Sequence, residues 1–291
     1  MKRIFLLGDE WLYYKLYCGA RMSDIILTET VKPLSEHLIK TKLIDKWFFI
    51  RYNDPDYHLR VRFHLHDVKK INEVILLINK ALRSYVDDDI IFKIQVDTYQ
   101  REIERYGSNT IEESEQMFYH ESKMLLDAIT SIQDEQLYFL FILKAVHQLL
   151  ENFKYGVKEK VILVSRNKDN FKTEFNADKT LNKQLNKKYT SIKKEIADFF
   201  NTNHSNKTYD ILDEVLLNKT NETTRIIDTI LNHKKNDALE IPLNELISSY
   251  IHMMINRAFR SQQRFYELIV YDFLYKKYNA DTMKTVSFNS N

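Results

Sequence analysis

Residues 58–66 read HLRVRFHLH. The even positions are His58, Arg60, Arg62, His64 and His66, and the odd ones are Leu59, Val61, Phe63 and Leu65. Strict alternation marks a strand with one buried face, because successive side chains point to opposite sides of the pleat. The odd face is apolar and needs a core. The even face is basic and imidazole-bearing, with no acid among its members. A solvated face is the commonest reason for such a stripe. The floor of an anion pocket is the reason that would give it a function.

The flanking segments predict the fold. DKWFFIRYND, at 45–54, is β-rich, and Asn53, Asp54, Pro55 and Asp56 supply turn chemistry, so a hairpin leads into the basic strand. Upstream, WLYYKLYCG at 11–19 reads as a strand. Ser23 is then placed to cap a helix over SDIILTETVKPLSEHLIKTKLI, interrupted near Pro33. Downstream, Asp67 can cap VKKINEVILLINKALRSYV, and IIFKIQVDTY at 90–99 alternates again. The first hundred residues therefore run β-α-β-β-α-β, the order of the ferredoxin-like plan.

Beyond Gly107 the period becomes helical. IEESEQMFYHESKMLLDAI follows a cap at Asn109 or Thr110, and DEQLYFLFILKAVHQLLENFKY is a second strong helix. Shorter helices are expected near 181–200, 208–217 and 222–233, and a final long one from Pro242 to about Tyr278. The lysine clusters in this half, such as NKKYTSIKKE, read as a solvated helix face. The expectation is an α+β protein: an α/β lobe over 1–130, then a helical lobe over 131–291 whose 243–278 helix completes the site.

Composition removes several function classes. The 291 residues are 44% hydrophobic, enough for a substantial core, and the formal net charge of +2 gives no global field toward nucleic acid or membrane. Cys18 is the sole cysteine, so neither an intrachain disulfide nor a cysteine-rich zinc site can form. Only Gly8, Gly19, Gly107 and Gly156 are glycines, which excludes the dinucleotide and P-loop fingerprints and the G-x-S-x-G elbow. MKRIFLLGDEW is too short a run for a signal segment, and LYFLFILKAVHQLL, interrupted by Lys144 and His147, reads as a buried helix rather than a membrane span. A cytoplasmic protein is expected.

Three places carry chemistry. On the basic strand, Arg60 and Arg62 share a sheet face and suit bidentate anion binding. His64 and His66 could instead ligate a metal, but the neighbouring arginines repel a cation and no third ligand is evident. YQREIERYG, at 99–107, crowds Tyr99, Arg101, Glu102, Glu104, Arg105 and Tyr106 at a strand exit. It reads either as local ion pairs or as Glu102 and Arg105 turned toward the basic strand. In YIHMMINRAFRSQQRF, at 250–265, a helix would align His252, Asn256, Arg260 and Arg264 in one polar line. Histidine is the side chain suited to moving protons at neutral pH.

At these residues the chain resembles the C-terminal elimination domain of class I lanthipeptide (lantibiotic) dehydratases, also called thiopeptide-type bacteriocin biosynthesis proteins. The matching segments are WLYYKLYCG, WFFIRYNDPDYHLRVRF, TYQREIERYG with the acidic helix ending FYHES, and IHMMINR. Residues 156–240 match only as helical filler. The family's large glutamylation domain is missing, so the resemblance reads as a stand-alone, split form. It implies glutamate elimination from glutamylated Ser or Thr of a precursor peptide, leaving dehydroalanine or dehydrobutyrine. It also implies catalytic roles for Arg60, Arg62, Glu102, Arg105 and His252. His58, Arg51, Tyr99, Asn256 and Arg257 are expected to bind substrate around them. No metal or organic cofactor is implied. The implied partners are the glutamylated precursor peptide and a separate glutamyl-tRNA-dependent glutamylating subunit. A later cyclase and a homodimer are both compatible with this reading. Direct nucleic-acid binding is not expected, because the aromatic pattern of RNA-binding ferredoxin-like sheets is missing. Two alternatives stand beside elimination: a formal [4+2] cycloaddition that builds a pyridine, and a non-catalytic peptide-binding subunit.

Overall fold

The computed structural model describes residues 1–201, 204 and 206–288. The chain divides into two compact units, one of Met1–Gln133 with Arg225–Ser261, the other of Asp134–Thr224 with Gln262 onward. No helix among the described residues is long and apolar enough to cross a membrane.

The first unit is built on six strands: β1 (Ile4–Phe5), β2 (Trp11–Cys18), β3 (Ile44–Asn53), β4 (Tyr57–Leu65), β5 (Ile91–Asp97) and β6 (Tyr99–Gln100). β1 pairs with β6. The other four form one sheet in the order β3-β4-β2-β5, every neighbouring pair antiparallel. Between β2 and β3 the chain is helical through α1 (Met22–Ile25), a π-helical turn (Ile26–Val31) and α2 (Lys32–Lys40). The interruption expected near Pro33 is this π turn. Pro33 itself follows directly, in the first turn of α2. Ser23 is not the cap. Arg21 occupies that position, and the Ser23 hydroxyl donates to the Ala20 carbonyl at 2.6 Å. Asp67 does cap, accepting from the Lys69 amide at 3.0 Å ahead of α3 (Ile71–Asp87).

The odd face of β4 is buried as its alternation requires. Leu59, Val61, Phe63 and Leu65 pack with Leu12 and Leu16 of β2, Phe49 of β3, Leu38 of α2, and Val74, Ile78 and Leu82 of α3. Each such side chain contributes ~1.5–3 kcal/mol by leaving water. The outer edge of β3 is closed by α5 (Ile111–Ser131) and α10 (Leu243–Ala258). The Phe49 amide donates to Ser122 Oγ at 3.4 Å, and the Asn256 side chain bonds both backbone groups of Arg51.

The second unit holds α6 (Glu135–Asn152), α7 (Val157–Glu174), α8 (Lys179–Phe200), the first part of α9 (Lys207–Lys235) and α11 (Gln263–Phe288). The two helices expected over 208–217 and 222–233 are the single α9. The intervening 218–221 contains no Pro or Gly to stop it, and Lys219 and Thr223 are buried. Conversely, the one helix expected to Tyr278 is two. α10 ends at Ala258, Phe259 is extended, and Gln262 takes a positive φ of 54° before α11. α10 therefore clusters with the sheet, not with the helices of the second unit.

Candidate active site

The registers lay out the open face of the sheet. Arg62 lies between Tyr13 of β2 and Phe48 of β3, Arg60 between Lys15 and Ile50, and His58 between Tyr17 and Tyr52. Directly opposed residues share a face, so this is one continuous cationic and aromatic surface.

Arg62 is its centre. Only 7% of the residue is exposed. Its guanidinium carbon lies 4.3 Å from the Tyr13 ring centre, 5.0 Å from Tyr99 and 5.1 Å from Phe48. Nε and Nη1 are buried without a hydrogen-bond partner among the described residues. Burial holds its pKa below the usual arginine value, with the Arg60 charge adding to the shift and Tyr13, Tyr99 and Glu102 opposing it. Donors left buried and unbonded cost about 1–3 kcal/mol each. A carboxylate docking on that guanidinium would recover this cost through charge-assisted bonds.

Arg60 is aimed by its neighbours. Its guanidinium stacks on the Tyr52 ring at 3.4 Å, and its Nε donates to His58 Nε2 at 3.1 Å. His58 is 1% exposed, with Nδ1 2.8 Å from the Asp56 carbonyl oxygen. A carbonyl only accepts, so Nδ1 carries the hydrogen and Nε2 presents its lone pair to Arg60. Burial lowers the His58 pKa and favours this neutral form.

The E-x-x-R-Y-G stretch folds as a single turn, α4 (Ile103–Tyr106), with Glu102 at its N-cap. Tyr106 anchors the turn. It is buried, 5.2 Å from the Phe118 ring and 6.1 Å from Tyr250. Gly107 then takes φ 76° and ψ 149°, a region open essentially to glycine alone, which redirects the chain into α5. Glu102 and Arg105 are left partly exposed, with Glu102 Oε2 3.7 Å from Arg105 Nη1. Arg105 Nε donates to Ser249 Oγ on α10 at 3.2 Å.

His252 is placed by its helix. It follows Ser249 by three residues and precedes Asn256 by four, so the three share a face. Ser249 holds Arg105, and Asn256 holds the edge of β3 through the Arg51 amide at 3.1 Å and carbonyl at 3.0 Å. His252 thus lies between the α4 turn and the sheet edge.

Other expected site residues are engaged within the chain. Arg51 is opposite Leu59, on the helix-covered face. It is 1% exposed, and its guanidinium donates to Ser23, Tyr57, Asp24 and the Arg257 carbonyl. Arg257 is fully buried against Glu121 at 2.7 Å. Asn256 spends its amide on Arg51. Tyr99 donates its hydroxyl to Glu115 at 3.0 Å and offers its ring to Arg62. His64 and His66 both approach Asp45, at 3.3 and 2.6 Å. Arg260 and Arg264 fall outside α10, so the polar line expected through His252 stops at Asn256. Tyr13, Phe48 and Tyr52 line this face although no sequence motif singles them out. Their signal was the alternation in WLYYKLY and WFFIRY, which puts these rings on the face of the arginines.

A family model of the lantibiotic biosynthesis dehydratase C-terminal region matches residues 11–278. The chain belongs to this family. It is 27% identical over 186 residues to the subtilin biosynthesis protein SpaB of Bacillus subtilis, covering 62% of this chain and 18% of SpaB. It is 33% identical over 127 residues to the nisin biosynthesis protein NisB of Lactococcus lactis subsp. lactis, covering 43% of this chain and 12% of NisB. The aligned part is thus under a fifth of either relative's length. The fold is that of the crystal structure of the tRNA-dependent lantibiotic dehydratase MibB from Microbispora sp. 107891, with a TM-score of 0.74 at 17% identity, covering 96% of this chain and 29% of MibB.

Proposed function

We propose that this chain eliminates glutamate from glutamylated Ser or Thr of a ribosomally made precursor peptide, leaving dehydroalanine or dehydrobutyrine. The observation that carries the reading is Arg62, a desolvated guanidinium with buried open donors, flanked by Arg60. In the elimination a base takes the Cα proton, the electron pair becomes the Cα=Cβ double bond, the Cβ–O bond breaks, and glutamate leaves as a carboxylate. Negative charge develops on the enolate and on the leaving group, and fixed guanidiniums stabilise both. Arg60, Arg62 and Arg105 bind the glutamyl group and the developing charge. Glu102 orients Arg105. His252 moves the proton, as base or as acid to the leaving group. His58 and Tyr99 shape the pocket through Arg60 and Arg62. The reaction takes place in the cytoplasm. A separate subunit supplies the glutamylated peptide from glutamyl-tRNA, and a cyclase can take up the product.

Intact-mass measurement of a glutamylated precursor peptide incubated with this protein tests the reading. The expected result is loss of glutamic acid from each adduct, abolished by Arg62→Ala and by His252→Ala. Adducts that persist while the peptide is demonstrably bound would overturn it. Consumption of a peptide already carrying two dehydroalanines would move the assignment to pyridine formation.

A further inference from the structure

The two edges of the sheet are treated differently. β3 is closed by Ser122 and Asn256, whereas β5 pairs with β2 alone among the described residues. Native proteins usually blunt an open edge with proline, repeated charge or a cover, because unpaired backbone groups template further pairing. β5 has no proline or glycine, and it exposes Phe92 at 60%, Ile94 at 36% and Val96 at 38%. A short β-prone segment of this kind, left bare, is an aggregation site.

Its sequence says what covers it. The register with β2 shifts beside Phe92, which leaves Lys93–Asp97, KIQVD, as the regular run. Reversed on itself about Gln95, that run sets Lys93 opposite Asp97, Ile94 opposite Val96 and Gln95 opposite Gln95. Both ends bring opposite charges together, both apolar positions meet apolar positions, and the amide meets an amide. Pairs of each kind favour an antiparallel ladder. Asp97 also holds Lys15 on its own sheet, so its carboxylate is already fixed on the open face, where Lys93 of a second copy would reach it.

We infer that β5 is a self-pairing edge: two copies of this chain join β5 to β5 about Gln95 into one continuous antiparallel sheet. The two-fold axis is perpendicular to that sheet, so both Arg60–Arg62 faces look the same way. The two β4 strands stand five strand spacings apart, ~24 Å. An extended peptide of about seven residues spans that distance.

Light scattering on the purified chain at tens of micromolar tests this, together with Lys93→Asp, Gln95→Cys and a Leu76→Cys control. The expected results are a dimer, a rise of about tenfold or more in its dissociation constant with Lys93→Asp at unchanged circular dichroism, and oxidative cross-linking through residue 95 but not residue 76. Cys18 is 2% exposed and does not compete. A monomer at this concentration overturns the inference. So does a dimer indifferent to Lys93→Asp that fails to cross-link at 95. Hydrogen-exchange protection of 93–97 that appears only with precursor peptide overturns it in favour of a peptide strand on the same edge. None of these readouts requires glutamate elimination.

Discussion

At the scale of the residue, three buried arginines look alike in the sequence and differ in the fold. Arg51 is paired with Asp24 and Arg257 with Glu121, although Arg257 also leaves Nε and Nη2 unbonded, while Arg62 sits among aromatic rings with Nε and Nη1 open. Arg62→Met should therefore leave the thermal midpoint unchanged or raise it, since it removes an uncompensated buried charge. It should also lower turnover by ~10²-fold or more, the usual cost of losing one fixed anion-stabilising donor. Arg257→Met should destabilise by ~3–5 kcal/mol, because the Glu121 carboxylate loses its buried counter-ion. Urea titration beside steady-state rates separates the two, and equal destabilisation would show Arg62 to be a scaffold residue. His58 makes a prediction of its own. Its pKa is depressed in the fold, so above about pH 6.5 it is neutral whether folded or unfolded. As pH falls below that value the unfolded chain takes the proton first and stability declines. Once pH passes the folded pKa, Nε2 is protonated, no longer accepts from Arg60, and the arginine loses its aim. A rate profile from pH 8 to 5 should show an acid limb. His58→Gln, whose amide oxygen accepts at any pH, should keep part of the rate and lose that limb. An unchanged limb in the variant would assign it elsewhere.

At the scale of the element, Gly107 is where backbone and chemistry meet. A Cβ there would lie 3.1 Å from Asn109 Oδ1 and 3.2 Å from Thr110 Oγ1, on a backbone that only glycine adopts without strain. Gly107→Ala should cost ~1–3 kcal/mol. It should also shift Arg105 off Ser249, so the rate falls more than Ser249→Ala alone would lower it. Denaturation midpoints and rates for the pair test this. The strands were legible because alternation needs only the chain's own side chains, and β4 alone reported its two faces. The glutamate–arginine turn was legible as a charge cluster with a glycine after it. What the sequence hid is set by partners distant along the chain. Arg51 reads as one more cation beside the basic strand until β3 is paired, when register puts it opposite Leu59 and on the far face. The break after Ala258 was hidden for another reason: FRSQQR contains neither proline nor glycine, and the positive φ falls on Gln262. Asn256, which read as a substrate contact, is the bolt that fastens α10 to β3.

At the scale of the whole molecule, each compact unit holds a histidine that burial keeps neutral, and the larger shift lies in the second. In the second unit His147 is largely buried, with Nδ1 2.9 Å from the Tyr278 hydroxyl oxygen. Burial, with Lys160, Lys277 and Lys144 around it, pushes its pKa down to about 3. The unfolded chain protonates His147 near pH 6.5, and the native unit does not until about pH 3. Stability is therefore highest above pH 6.5 and falls as pH drops through that window. Between pH 7 and pH 5 this one side chain accounts for a loss of about 2 kcal/mol. His147→Gln should remove that part of the pH dependence while keeping a polar partner for Tyr278. The measurement is urea unfolding at pH 7 and pH 5, following hydrogen exchange separately in Glu135–Asn152 and in Ile44–Asn53. The variant should flatten the difference in α6 and leave β3 as it was. Loss of protection that stays equal in both segments, with the mutation and without it, would mean that the two units unfold as one and that His147 does not set the acid limit.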